Sequence, residues 1–245
     1  MPKAFKRYGT AIVVILLSLG FVPGHAEARS KHFHYHRKVH HAAPVDGTAS
    51  YADIVIDAET GRILHATNPD SPRHPASLTK MMTLYVTFQA LESGRLQLNQ
   101  SLPISANASE QSPSKLGLRR GRTIRVEDAI LGLVTESAND AAVVLAEALG
   151  GSEAGFGKFM TQQAHALGMT HTRFDNPSGL PDPDQVTSAR DMAMLGHALI
   201  YHYPNYYPYF SHDNFVYAGI NHHNHNHLMD RYDGMDGIKT GYIRA

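Results

Sequence analysis

Three short clusters of side chains in this sequence could do chemistry together. Ser77-Leu78-Thr79-Lys80 sets a hydroxyl and an amine three positions apart, and on a helix that spacing shares one face. A helix N-terminus is electropositive, and an apolar run follows Lys80. Both lower a lysine pKa, the first by repelling the cation and the second by desolvating it. A neutral Lys80 could then take the Ser77 proton and leave an oxygen nucleophile. Taken alone, the pair reads more simply as an exposed lysine beside an N-capping serine. Ser137-Ala138-Asn139 adds a hydroxyl and an amide between two helical stretches, where a loop can aim side chains into a cleft. Lys239-Thr240-Gly241 offers a charge, a hydroxyl and a bare backbone. On an edge strand these suit a ligand carrying a carboxylate: Lys239 by charge, Thr240 by hydrogen bond, and Gly241 by leaving room for close approach. A second S-x-x-K, Ser112-Pro113-Ser114-Lys115, and a second S-x-N, Ser105-Ala106-Asn107, also occur. Context separates them, because Pro113 and Gly117 disfavour a helix at Ser112.

The elements that must position these groups follow from periodicity. Residues 51–57 alternate and are rich in β-branched types, which predicts a strand, and residues 63–66 return from a turn at 59–62. Residues 78–91 carry apolar side chains on nearly every face, which predicts a buried helix ending at Gly94. Helices are predicted over 127–134, over a stretch capped by Asn139 and ended by Gly150, from Ser152 to Gly168, and after Thr187 or Ser188. Residues 176–183 form a Pro- and Gly-rich loop, and strands are predicted at 216–220 and 237–243. A hairpin, a helical block and then strands make an α+β layout, with helices inserted between parts of one antiparallel sheet.

Composition narrows the class. The 245 residues are 42% hydrophobic and 18% charged, a globular balance. Lys+Arg and Asp+Glu are equal at 22 each, so no basic field points to nucleic acid. Cysteine is absent, which excludes a thiol nucleophile, iron–sulfur clusters and thiolate zinc sites. Lys3, Lys6 and Arg7 precede a twelve-residue apolar core at 11–22 and an Ala26-Glu27-Ala28 cleavage pattern. That is the layout of an export signal over residues 1–28, and the core falls short of the ~20 residues needed to span a bilayer. Residues 29–47 hold five histidines without apolar periodicity and read as a linker. The folded domain is then 48–245, and the chain is expected in the periplasm or cell envelope.

The three clusters in this order, with their flanking text, resemble the penicillin-recognising serine enzymes and, within them, the low-molecular-mass D-alanyl-D-alanine carboxypeptidases. The flanks are Asp57-Ala58-Glu59-Thr60-Gly61-Arg62, Glu136-Ser137-Ala138-Asn139-Asp140-Ala141, Phe174-Asp175-Asn176-Pro177-Ser178-Gly179-Leu180 and Asp236-Gly237-Ile238-Lys239-Thr240-Gly241-Tyr242. S-x-x-K and K-T-G are motifs of that superfamily. The resemblance implies a transpeptidase-like fold with Ser77 as the acylated nucleophile and Lys80 as its general base. It implies that Ser137 relays a proton to the leaving group, Asn139 holds the substrate amide, and Lys239 and Thr240 bind the terminal carboxylate. Gly241 leads into Tyr242, whose backbone N–H would complete an oxyanion hole with that of Ser77. The substrate would be a peptidoglycan pentapeptide, β-lactams would enter the same site, and no metal or cofactor would be needed.

In that family two further sheet strands and a last helix follow the K-T-G strand, often with a second domain and an amphipathic membrane-binding tail, whereas Ala245 stands four residues past Gly241. The expectation is therefore a C-terminally incomplete domain with no visible membrane anchor, a Lys239 that no sheet holds, and an unpaired edge on the first hairpin. Three other readings stand beside the carboxypeptidase. A class A β-lactamase would need an E-x-x-L-N run, which the sequence lacks. A periplasmic metal binder would use His222, His223, His225 and His227. An inactive fragment is the third.

Overall fold

The computed structural model describes the backbone of residues 12–18 and, in full, residues 51–243. Strand β1 (Ile12–Ser18) is followed by β2 (Tyr51–Asp57) and β3 (Ile63–Thr67). After a 3-10 turn at Ala76–Leu78 come helix α1 (Thr79–Glu92) and strand β4 (Ser101–Pro103). Then follow α2 (Ala106–Ser109), β5 (Thr123–Arg125), α3 (Val126–Val134), α4 (Asn139–Gly150), α5 (Glu153–Ala166) and α6 (Ala189–His202). A hairpin of β6 (Asn214–Tyr217) and β7 (Ile220–His223) closes the regular structure.

The sheets are small and antiparallel: β1-β2-β3, β4-β5 and β6-β7. The pairing of β2 with β3 shifts register between Val55 and Ile56. On the first hairpin β1 covers the β2 side along its whole length, from Ile12 with Asp57 to Ser18 with Tyr51, while among the described strands β3 keeps an unpaired outer edge. A run of β-branched residues fits that ladder. The expected cleavage point near Ala28 and the histidines of 29–47 lie outside the described residues.

Helix α1 is the centre of the domain. Gln89 and Glu92 are its only residues not buried, and it packs against α3, α4, α5 and α6. A helix surrounded on all sides needs apolar residues all round, as its sequence has. Phe88 stacks on Tyr206 at 5.1 Å and meets Phe210 edge-on at 6.1 Å, which ties α1 to the chain that leads into β6.

Three local expectations need correction. The strand predicted at 216–220 is two strands meeting at a turn: Val216 and Tyr217 end β6, Ile220 opens β7, and Ala218 and Gly219 between them have positive φ (49° and 83°), as a two-residue type I′ turn requires. Asn139 does not cap α4. Ala138 holds that position, no side chain caps the helix, and Asn139 is its first residue. Residues 237–243 do not form a strand, since none of the described strands pairs with them. Side-chain contacts hold them instead. Asn226 Nδ2 donates to the Gly237 carbonyl at 3.1 Å, the Tyr207 hydroxyl donates to Asp236 at 3.0 Å, and Gly237 lies against Phe210 so closely that a Cβ there would sit 2.8 Å from the phenylalanine Cβ.

Candidate active site

Ser77 lies in the 3-10 turn that precedes α1, so its side chain stands at the mouth of the most buried helix. The turn is strained. Ala76 has φ of 48°, a left-handed value that a non-glycine residue holds only when its surroundings enforce it. The enforcing group is the 176–179 loop. A Cβ on Gly179 would land on the Ala76 carbonyl oxygen, so the loop backbone presses directly on the turn. Asn176 shapes that loop by accepting hydrogen bonds from the N–H groups of Ser178 (3.2 Å) and Gly179 (2.8 Å).

Lys80 is fully buried one turn later. Its Nζ lies 2.6 Å from the Ser178 carbonyl, 2.8 Å from Asn139 Oδ1 and 3.3 Å from Ser77 Oγ. The Asn139 amide is oriented unambiguously, because its Nδ2 donates to the Ser112 carbonyl at 3.0 Å and so leaves Oδ1 toward Lys80. Burial first, and the nearby Lys239 charge second, hold the Lys80 amine well below its usual range. A neutral amine has two N–H groups and one lone pair. In that form the Ser178 and Asn139 oxygens, pure acceptors, would take both N–H groups and leave the lone pair toward the Ser77 hydroxyl.

Ser137 is 3% exposed, and its Oγ is buried without a hydrogen-bond partner. Its φ of 60° makes it the second strained non-glycine residue of the cleft. Asn139 N donates to the Ser114 carbonyl at 2.8 Å. The 112–115 stretch, discounted in sequence as a chance S-x-x-K, thus supplies two carbonyls that fix Asn139. Behind it, the buried Asp140 carboxylate accepts from the N–H groups of Leu116, Gly117 and Leu118 at 3.1, 2.9 and 3.0 Å.

Lys239, Thr240 and Gly241 form the opposite wall. A Cβ on Gly241 would stand 3.3 Å from both the Ser77 and the Leu78 nitrogens, so the glycine lets this strip of backbone lie against the Ser77 turn. Lys239 Nζ donates to the Thr240 carbonyl at 3.0 Å. Part of Lys239 meets solvent at the cleft, but its ammonium lies within the protein, and burial pushes its pKa down to about 7. The Tyr242 side chain is 78% exposed, turned out of the cleft. A cavity of about 240 Å³ lies between Ala76, the 179–183 loop and Ile243, and none of Ser77, Lys80, Ser137, Asn139 or Lys239 lines it.

The structure therefore brings Ser77, Lys80 and Asn139 into one hydrogen-bonded group. It sets Gly241 against that group, and Ser137 stands beside Asn139 with a free hydroxyl. The sequence reading did not single out the Ser178 carbonyl, Gly179, or a buried contact between His222 Nδ1 and Glu136 Oε2 at 2.9 Å. The loop glycine was detectable in its Pro- and Gly-rich context. A backbone carbonyl acting as a lysine acceptor leaves no trace in side-chain identity. His222 had been weighed as a metal ligand, but it faces a carboxylate inside the protein. Among the described residues no His, Asp or Glu cluster has the geometry to hold a metal ion, and no helix is long and apolar enough to cross a membrane.

Residues 38–245 match the family described as D-alanyl-D-alanine carboxypeptidase. The D-alanyl-D-alanine carboxypeptidase DacA of Haemophilus influenzae is 38% identical over 193 residues, which is 77% of this chain and 49% of that protein. The crystal structure of carboxypeptidase DacD from Francisella tularensis superposes with a TM-score of 0.77 at 29% identity, covering 88% of this chain and 63% of the other. Penicillin-binding protein D2 of Listeria monocytogenes, in its ampicillin-bound form, superposes with a TM-score of 0.70 at 31% identity, covering 78% of each chain. The chain spans about half the length of the curated relatives it matches.

Proposed function

The chain belongs to the D-alanyl-D-alanine carboxypeptidase family, and from that premise we propose that it is a serine peptidase that removes the terminal D-alanine from peptidoglycan stem peptides. The observation that carries the reading is the hydrogen bonding of Lys80, whose two acceptors, the Ser178 carbonyl and Asn139 Oδ1, would turn the lone pair of the neutral amine toward Ser77. Lys80 takes the Ser77 proton as Oγ bonds to the carbonyl carbon between the two D-alanines. The developing oxyanion is received by the backbone N–H groups of Ser77 and Tyr242, a role supported by the close approach of Gly241 to the Ser77 nitrogen. As the C–N bond breaks, the unpartnered Ser137 hydroxyl gives a proton to the leaving nitrogen and is refilled from the Lys80 ammonium. Water then attacks the ester, with Lys80 again as base, and frees Ser77.

Substrate binding falls to the other wall. Lys239 in its cationic form and the Thr240 hydroxyl receive the terminal carboxylate. Asn139 has one amide N–H beyond the bond to Ser112, and that hydrogen is available to the peptide carbonyl. A β-lactam occupies the same cleft and acylates Ser77. The positive N-terminal segment, its short apolar core and the small residues before Arg29 support export to the periplasm or cell envelope, which the N-terminal mass of the protein recovered from cells would test.

The catalytic reading is tested by incubating the protein with penicillin, measuring intact mass and mapping the adduct. One adduct on the Ser77 peptide, together with D-alanine release from a D-Ala-D-Ala peptide, is the expected result. An adduct on Ser112 or Ser137, or none, contradicts it.

A further inference from the structure

His222 is buried on β7, and no step of the reaction uses it. Its Nδ1 donates to Glu136 Oε2 at 2.9 Å across 86 positions of sequence. Its Nε2 is buried without a partner. A buried imidazole with one unsatisfied nitrogen is a standing cost, which the Glu136 contact must offset. Glu136 is the residue immediately before Ser137, so whatever fixes the glutamate fixes one end of the strained serine. The other end is already fixed. Ala138 N donates to the Gly132 carbonyl at 3.0 Å and Asn139 N to the Ser114 carbonyl at 2.8 Å. A left-handed non-glycine residue persists only where its surroundings over-determine it. Upstream, Thr135 N donates to the Leu131 carbonyl at 2.9 Å, and the His222 contact adds the long-range hydrogen bond that the Glu136 side chain makes.

We infer that Glu136 and His222 form a brace that sets the backbone of Ser137, making them positioning residues for protonation of the leaving group. The inference rests on the proposed reaction only for the use made of Ser137. The same hairpin leads to Asn226, which holds Gly237. The β7 strand and the turn after it therefore grip both walls of the cleft, through His222 on one side and Asn226 on the other, and the brace fixes the proton donor relative to the carboxylate site.

The brace predicts a selective defect. An amide substrate needs a proton on its leaving nitrogen, whereas a thioester counterpart, with sulfur in place of that nitrogen, leaves as a thiolate and needs none. With the full chain, His222→Leu should lower kcat on an N-acylated D-Ala-D-Ala peptide by roughly tenfold or more. It should leave KM unchanged and alter thioester kcat by less than about twofold. Glu136→Leu should behave the same way. His222→Gln, whose amide can still donate to Glu136, should restore most of the amide activity. Crystal structures of the wild type and of His222→Leu should show Ser137 leaving its left-handed φ in the variant. Equal losses on amide and thioester, no rescue by glutamine, or an unmoved Ser137 backbone would each overturn the brace. If the wild type turns over neither substrate, the proposed reaction falls, and the Ser137 backbone in the two crystal structures still decides the brace.

Discussion

Lys80 and Lys239 face one cleft from opposite walls, and the protein holds them in different ways. Lys80 is fully buried and bonded to groups 59 and 98 positions away in sequence, Asn139 and Ser178. Lys239 bonds to the carbonyl of its own neighbour, on a segment without strand partners that is tethered through Asn226, Asp236 and Gly237. Both amines are pushed down by burial, yet the proposed reaction needs them in opposite states. Lys80 must be neutral to accept a proton, and Lys239 must be charged to hold a carboxylate. The rigid wall suits a base whose lone pair must point in one direction. The looser wall suits a cation that has to turn from Thr240 to an incoming anion.

The sharpest test of the rigid wall is Lys80→Arg. Arginine stays charged and cannot accept a proton, so penicillin acylation should fall by about 10²–10⁴, the usual contribution of a general base. A near wild-type acylation rate would remove Lys80 from the chemistry. Gly179→Ala comes next. A methyl on the Ala76 carbonyl must displace the Ser77 turn, and Gly179 itself sits at φ of 85°. The expected loss is about 1–3 kcal/mol of stability, with acylation slowed about a hundredfold. Thermal unfolding and stopped-flow acylation measure the two effects. Gly241→Ala, with 3.3 Å of clearance, should be milder on both.

The looser wall is tested by pH. Below about 7 Lys239 is a cation, and above it the charge is lost. KM for a carboxylate-ended peptide should therefore rise with pH above about 7, approaching about tenfold per unit well beyond it. A bound carboxylate favours the cation, so the limb should lie higher in the complex than in the free enzyme. Lys239→Arg should abolish that limb. The Lys80 limb has the opposite sign, since acid protonates the base, and it should appear as a fall in acylation rate on the acid side. The smallest effect is expected from Asn226→Ala, which frees the Gly237 carbonyl. A KM increase of about fivefold, corresponding to the ~1 kcal/mol of one hydrogen bond, would fit a tether. A loss as large as that of Gly179→Ala would mean that the two walls are equally rigid.

Much of this was legible in the sequence. The all-round apolar pattern of α1 identified a buried helix, and the i, i+3 spacing at its start placed Ser77 and Lys80 within reach of each other, as they are at 3.3 Å. Asn139 was misread as a cap because its side-chain type suits one, whereas the same amide serves Lys80 and Ser112. Residues 237–243 were misread as a strand because their β-branched types suit a ladder, and propensity cannot supply a ladder partner. The Ser178 carbonyl and the His222–Glu136 contact escaped notice for a common reason. Each depends on two segments far apart in the chain, which periodicity and local spacing do not relate.

That remoteness has a consequence for the order in which the protein becomes itself. Contacts across 59 and 98 positions carry a loop-closure cost and exist only once the segments that bear them have come together. Until they form, Lys80 is an ordinary solvated ammonium, and the hydroxyl three residues before it is an ordinary alcohol. In the proposed reaction the nucleophile is therefore a product of folding rather than of synthesis. On that reading a partly folded chain carries every residue of the site without the contacts that set Lys80 against Ser77.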